Sequence, residues 1–174
     1  PQKTALVAVG GYGKGNLAPA SDLDLVLLHE PRADVVGVAD KIWYPIWDAG
    51  MRLDHSVRTV PEARRLAGQD LKVVLGILDV RTIAGWEELT ESLRAAVLQD
   101  WRALAPRRLS ELREVVDYRV ERSGELPHLL EPDLKESYGG LRDLTILRAI
   151  SASWVADAPH QALDVHAEAL LDVR

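Results

Sequence analysis

The chain has 174 residues, 47% hydrophobic and 28% charged, with a formal net charge of −6 and no cysteine. This is a globular composition that excludes a disulfide framework and a thiolate metal site. The acidic balance, with no basic footprint, speaks against DNA or RNA as partners. Ala5-Leu6-Val7-Ala8-Val9 is a continuous apolar run closed by Gly10-Gly11, the pattern of a buried strand. Residues 12–17 suit a short helix ended by Pro19. Leu23 to Leu28 is a second strand, stopped at His29-Glu30-Pro31. Val35, Val36, Val38, Ala39, Ile42, Trp43, Ile46 and Trp47 follow helical spacing up to Gly50, with Pro45 predicting a kink or an early end.

From Met51 to Val60 the chain alternates. Met51, Leu53 and Val57 take one face and Arg52, Asp54, Ser56 and Arg58 the other, as in a half-buried strand. Thr59-Val60-Pro61-Glu62 carries the signature of a helix start, with Thr59 as cap and Glu62 three residues later. Beyond residue 69 the spacing predicts helices over 71–84, 87–104, 107–122, 141–155 and 161–173, with a loop over 125–140. The expected fold is therefore α+β: an α/β domain with a small mixed sheet over 1–68 and a helical bundle over 69–174. No apolar run reaches the roughly 20 residues that span a bilayer, so a cytoplasmic protein without a membrane partner is expected. The start on Pro1 suggests a piece cut from a longer chain.

The chemistry concentrates between the first two strands. Alternate side chains of a strand share a face, so Asp22 and Asp24 point the same way, about 7 Å apart at Cα. Hard carboxylate oxygens so placed suit Mg²⁺, which leaves its remaining positions to water and phosphates. The plainer reading has Asp22 capping a turn and Asp24 solvated. Ten residues upstream, Gly10-Gly11 lets a triphosphate approach the backbone closely. Asp54 either faces the aspartate pair as a third ligand or as the base for an incoming hydroxyl, or it pairs with Arg52 or Arg58. Arg58 either neutralises phosphate or forms a surface ion pair. His55 falls on the apolar face, as a packed histidine. In the later loop, Lys135 and Arg142 flank Gly139-Gly140 at a helix start, a setting for phosphate contact. The alternative there is a plain turn, with Asp143 supporting the next helix.

Gly10-Gly11 with Asp22-x-Asp24 resembles the signature of the DNA polymerase β-like nucleotidyltransferases. The strings from Val7 to Gly13 and from Leu17 to Leu25 are similar to the start of the bacterial bifunctional PII uridylyltransferase/uridylyl-removing enzymes. Trp47-Asp48-Ala49-Gly50, His55-Ser56-Val57-Arg58-Thr59, Leu78-Asp79-x-Arg81 with Ala84-Gly85, and Glu131 to Leu144 agree in the same order. The resemblance implies a polymerase β-type sheet domain that moves UMP from UTP to a tyrosine of the PII nitrogen-regulatory protein, releasing pyrophosphate. Asp22, Asp24 and Asp54 would hold Mg²⁺, and Gly10, Gly11, Ser21, Arg58, Lys135 and Arg142 would contact the nucleotide. Lys14 and Asn16 stand where that family has Arg and Glu, and lysine lacks the bidentate fork of arginine. Nothing matches the family's hydrolase or ligand-sensing domains. Adenylyl transfer to another protein, as in glutamine synthetase adenylyltransferase, and a catalytically silent nucleotide-binding module are the alternatives.

Overall fold

Four stretches of alternating or apolar residues form one mixed sheet. The computed structural model describes residues 3–18, 21–31, 35–158 and 160–173. Strand β1 (Thr4–Ala8) pairs antiparallel with β2 (Leu23–His29), placing Val7 beside Val26 and Ala8 beside Leu25. Strand β3 (Leu53–Thr59) runs parallel to β2. Parallel neighbours need a crossover, supplied by helix α2 (Val36–Asp48). Strand β4 (Arg81–Gly85) pairs antiparallel with β1, so the order is β3-β2-β1-β4.

Burial follows the pleat. Ala8, Leu25 and Leu27 form a core with Ala39 and Trp43 of α2, joined by Leu6, Leu23, Leu53 and Val57. On the opposite face Ala5, Val7 and Leu28 are buried as well. Helix α2 runs three residues past Pro45 and closes as a Schellman motif. Gly50 (φ +71) donates its N–H to Trp47, and Met51 donates to Ile46.

Thr59 ends β3 and caps α3 (Val60–Gln69). Its hydroxyl accepts the Glu62 N–H at 3.4 Å, and the Glu62 carboxylate accepts the Thr59 N–H at 2.8 Å. Thr59→Ala is expected to cost about 1 kcal/mol, read from a denaturant midpoint. The Thr59 backbone bond, then the Thr59 hydroxyl, hold the Glu62 carboxyl below its ordinary range. A depressed carboxyl stabilises the fold above its ordinary pKa, and that contribution disappears as pH falls through the lowered value. Thr59→Ala removes the hydroxyl and keeps the backbone N–H, so it should flatten the acid limb of the stability curve only in part.

The structure corrects several expected elements. The first short helix, α1, spans Gly10–Gly13 rather than 12–17, and its expected stop, Pro19, lies outside the described residues. The helix expected over 71–84 is a short helix, α4 (Leu71–Ile77), followed by β4. A run of a few apolar residues fits either period, and Thr82 and Ile83 favour the pleat. The two helices expected around Pro106 are one, α5 (Glu87–Ser123). Proline removes one hydrogen bond at a cost of about 3 kcal/mol, and strong helix formers on both sides carry the helix through it.

The chain divides into two compact units, Pro1–Gln99 and Asp100–Arg174. The first contains the whole sheet and the start of α5, and the boundary expected at residue 69 falls inside it. There Thr82 donates to Thr90 Oγ1 at 2.8 Å, and Arg94 donates to the Val80 carbonyl at 2.6 Å. The second unit is helical, with α6 (Leu141–Ser153) and α7 (His160–Val173) after the rest of α5. Buried Trp101 donates its indole N–H to the Ala149 carbonyl at 2.8 Å. Among the described residues, no helix is long and apolar enough to cross a membrane.

Candidate active site

Asp24 and Asp54 are register partners on the parallel strands β2 and β3. Partners in a parallel pair face the same way, so the two carboxylates stand side by side, opposite the face that packs on α2. Asp22 lies one residue before β2 begins. Its carboxylate takes the Arg52 Nε at 2.7 Å, and both side chains are more than half exposed. Arg52 thus pairs with Asp22, and Asp54 makes no ion pair among the described residues. Arg58 is on the Asp54 face of β3, but four residues on, about 13 Å along the strand. Its guanidinium donates to the adjacent Val57 carbonyl. His55, on the other face, packs its ring 4.9 Å from Trp43 and 5.3 Å from Trp47 while staying exposed.

The glycine turn backs onto this pair. Gly10 has φ +57, a conformation that favours glycine. A Cβ there would lie 3.1 Å from Asp24 Oδ2. The Val9 N–H donates to the Asp24 carbonyl at 3.1 Å, fastening the turn to β2. Gly11 is exposed, and Ser21 donates its N–H to Ala18 just before the acids. Gly13 is required for a different reason: a Cβ there would lie 2.2 Å from the Asp79 carbonyl oxygen. Gly13→Ala is expected to cost about 1–3 kcal/mol through overpacking, seen as a lower melting temperature.

Carboxylate oxygens are the donor set magnesium prefers, and Asp24 with Asp54 supplies two from adjacent strands. Among the described residues no three His, Asp or Glu side chains form a cage of their own. The protein therefore offers a partial shell that fits a cation brought in with phosphate oxygens. Asp22 would have to give up Arg52 to join such a shell, and an exposed ion pair of this kind contributes about 0–1 kcal/mol.

Lys135, in the loop before α6, and Arg142, in the first turn of α6, belong to the second unit. Arg142 is held by Glu136 at 3.0 Å, and Lys135 makes no ion pair among the described residues. Gly139 donates its N–H to Asp143 Oδ2 at 2.6 Å, so Asp143 supports the first turn of α6. A Cβ at Gly140 would lie 2.6 Å from the Leu134 carbonyl. Arg119 of α5 organises the loop from below, donating to the carbonyls of Glu136 at 2.9 Å and Ser137 at 3.3 Å and pairing with Asp143.

Residues 107–168 match the family described as GlnD PII-uridylyltransferase. Over 98% of its length the chain is 62% identical to the bifunctional uridylyltransferase/uridylyl-removing enzyme of Streptomyces coelicolor. It is 44% identical to that of Mycobacterium tuberculosis over 98% of its length, and 39% identical to that of Corynebacterium glutamicum over all of it. The chain is a relative of these uridylyltransferases. It covers 21%, 22% and 25% of the three proteins, so it spans roughly a fifth to a quarter of their length. A solved toxin–antitoxin structure with AMP-PNP matches 65% of this chain and 86% of that one at 17% identity and a TM-score of 0.40, too slight a likeness to bear on fold or ligand.

Three residues that organise these segments carry no signal in residue type or spacing alone. Arg119 sits in a helix as one charged residue among many, and only its burial sets it apart. Asp79 and Arg81 were visible as part of a family-like string, but their work depends on β4, which the apolar spacing concealed.

Proposed function

We propose that this chain is a nucleotidyl-transferring module that moves UMP from UTP to a tyrosine hydroxyl of a PII signalling protein. The observation that carries the reading is the side-by-side placement of Asp24 and Asp54, with Gly10 backed onto the Asp24 carboxylate. Similarity to uridylyltransferases over nearly the whole chain supports the choice of substrate class.

In the proposed step the tyrosine oxygen forms a bond to the α-phosphorus, and the α–β anhydride bond breaks. Pyrophosphate leaves, and the phenolic proton passes to Asp54 or water. Mg²⁺ held by Asp22, Asp24 and Asp54 would supply charge neutralisation on the phosphate oxygens. The chain's own residues position the reactants, which is the larger share of catalysis when the chemistry is a displacement at phosphorus. The open backbone at Gly10-Gly11 admits the triphosphate beside Asp24, and Ser21 borders it. Arg58 is the proposed nucleotide contact at the far end of β3, and Lys135 and Arg142 are proposed phosphate contacts of the second unit. A role in nitrogen regulation and a cytoplasmic site of action follow from a PII acceptor.

Incubation of the chain with a PII protein, Mg²⁺ and labelled UTP or ATP tests the reading. Label retained on PII from UTP supports it. Label from ATP alone, or on a different acceptor, replaces uridylyl by adenylyl transfer. Tight Mg-UTP binding without pyrophosphate release marks a silent module.

A further inference from the structure

The α1 turn is held in place by a segment distant in sequence. Arg81, at the start of β4, donates through Nε to the Gly13 carbonyl at 3.2 Å and through a terminal nitrogen to the Tyr12 carbonyl at 3.1 Å. Its guanidinium also lies 5.4 Å from the centre of the Tyr12 ring. These carbonyls belong to the last turn of a helix, whose acceptors the helix itself leaves short of donors. Two residues earlier, Asp79 Oδ2 pairs at 3.2 Å with the Lys14 ammonium, and the Lys14 side chain is only 8% accessible. The Asp79 carbonyl then meets Gly13 with no room for a side chain. The segment 79–81 therefore grips the C-terminal side of the same turn whose N-terminal residue, Gly10, would bring a Cβ to 3.1 Å from Asp24 Oδ2.

We propose that Asp79 and Arg81 are positioning residues that fix the Gly10–Gly13 turn against Asp24, and with it the room left for a phosphate chain beside that carboxylate. The grip itself is independent of the nucleotidyl-transfer reading; its consequence for phosphate rests on that reading. The bonds described for the two side chains go to the turn and to Lys14, so their effect on the acid travels through the backbone of the turn.

The test uses Arg81→Met, Arg81→Lys and Asp79→Asn in the full chain. The amides of Lys14, Gly15 and Asn16 donate to the carbonyls of Gly10, Tyr12 and Gly11, and report whether the turn is closed. Their hydrogen exchange is expected to accelerate about tenfold or more in Arg81→Met and Asp79→Asn, and less in Arg81→Lys, with the Leu25 to Leu28 amides of β2 unchanged. Calorimetry with Mg-UTP is expected to show about tenfold weaker binding in Arg81→Met, partly restored in Arg81→Lys, the scale seen when a supporting residue is lost. Unchanged exchange at the three amides, or equal acceleration through β2, overturns the grip. Equal Mg-UTP affinity in wild type and Arg81→Met overturns the positioning role. If the wild type binds no Mg-UTP while exchange behaves as expected, the grip stands and the nucleotide reading falls.

Discussion

Asp24→Asn is expected to lower UMP transfer about a thousandfold, the scale of removing one group that stabilises charge in the transition state. Asparagine keeps the shape and size of the side chain and forfeits only the charge. Asp24 is half-buried within β2, between a glycine that leaves it room and a partner aspartate on β3. The neutral side chain fits the same space, so the melting temperature should stay near that of the wild type. Turnover of labelled UTP with PII, alongside a thermal melt, separates the two effects. Transfer within about tenfold of wild type would remove Asp24 from the mechanism. Asp22→Asn is expected to fall as well, while also releasing Arg52, and so makes a useful companion.

The second large effect is on stability. Arg119→Met is expected to cost about 3–5 kcal/mol, because it leaves a mostly buried carboxylate without its partner. Arg119 is 6% accessible and Asp143's side chain 18%. The carbonyls of Glu136 and Ser137 lose their guanidinium donor in the same substitution. Arg119→Lys keeps the charge but cannot reach three acceptors with a planar fork, and should fall between. Urea unfolding followed by circular dichroism reads the difference. A loss under about 1 kcal/mol would mean that the pair behaves as a solvent-exposed one.

The sheet was legible where local rules and tertiary packing agree. Thr59 and Glu62 announced the start of α3 because a capping box is satisfied within four residues. The alternation of Leu53, Asp54, His55 and Ser56 placed Asp54 on the polar face before its neighbour was known. Strand β4 was hidden because its partner, β1, lies more than seventy residues earlier in the chain, and pairing across such a distance leaves no local trace. Pro106 misled for the opposite reason: a local breaker was outvoted by the length of α5. At the site, the acids and the glycine turn could be named from residue type and spacing. The support of the turn could not, since Arg81 acts on backbone carbonyls, and any residue type carries those; Arg119 was hidden in the same way within the second unit.

The one-to-one pairing of β2 with β3 also dictates where this sequence tolerates changes in length. Residues added between Glu30 and Val36 fall outside both strands and leave every pairing intact. A single residue inserted between Leu53 and Asp54 reverses the facing of every later side chain in the strand. The carboxylate would then turn toward the indoles of Trp43 and Trp47, and the imidazole of His55 would swing to the side that Asp24 occupies. Homologous chains should accordingly vary in length before α2 and hold a constant count through β3.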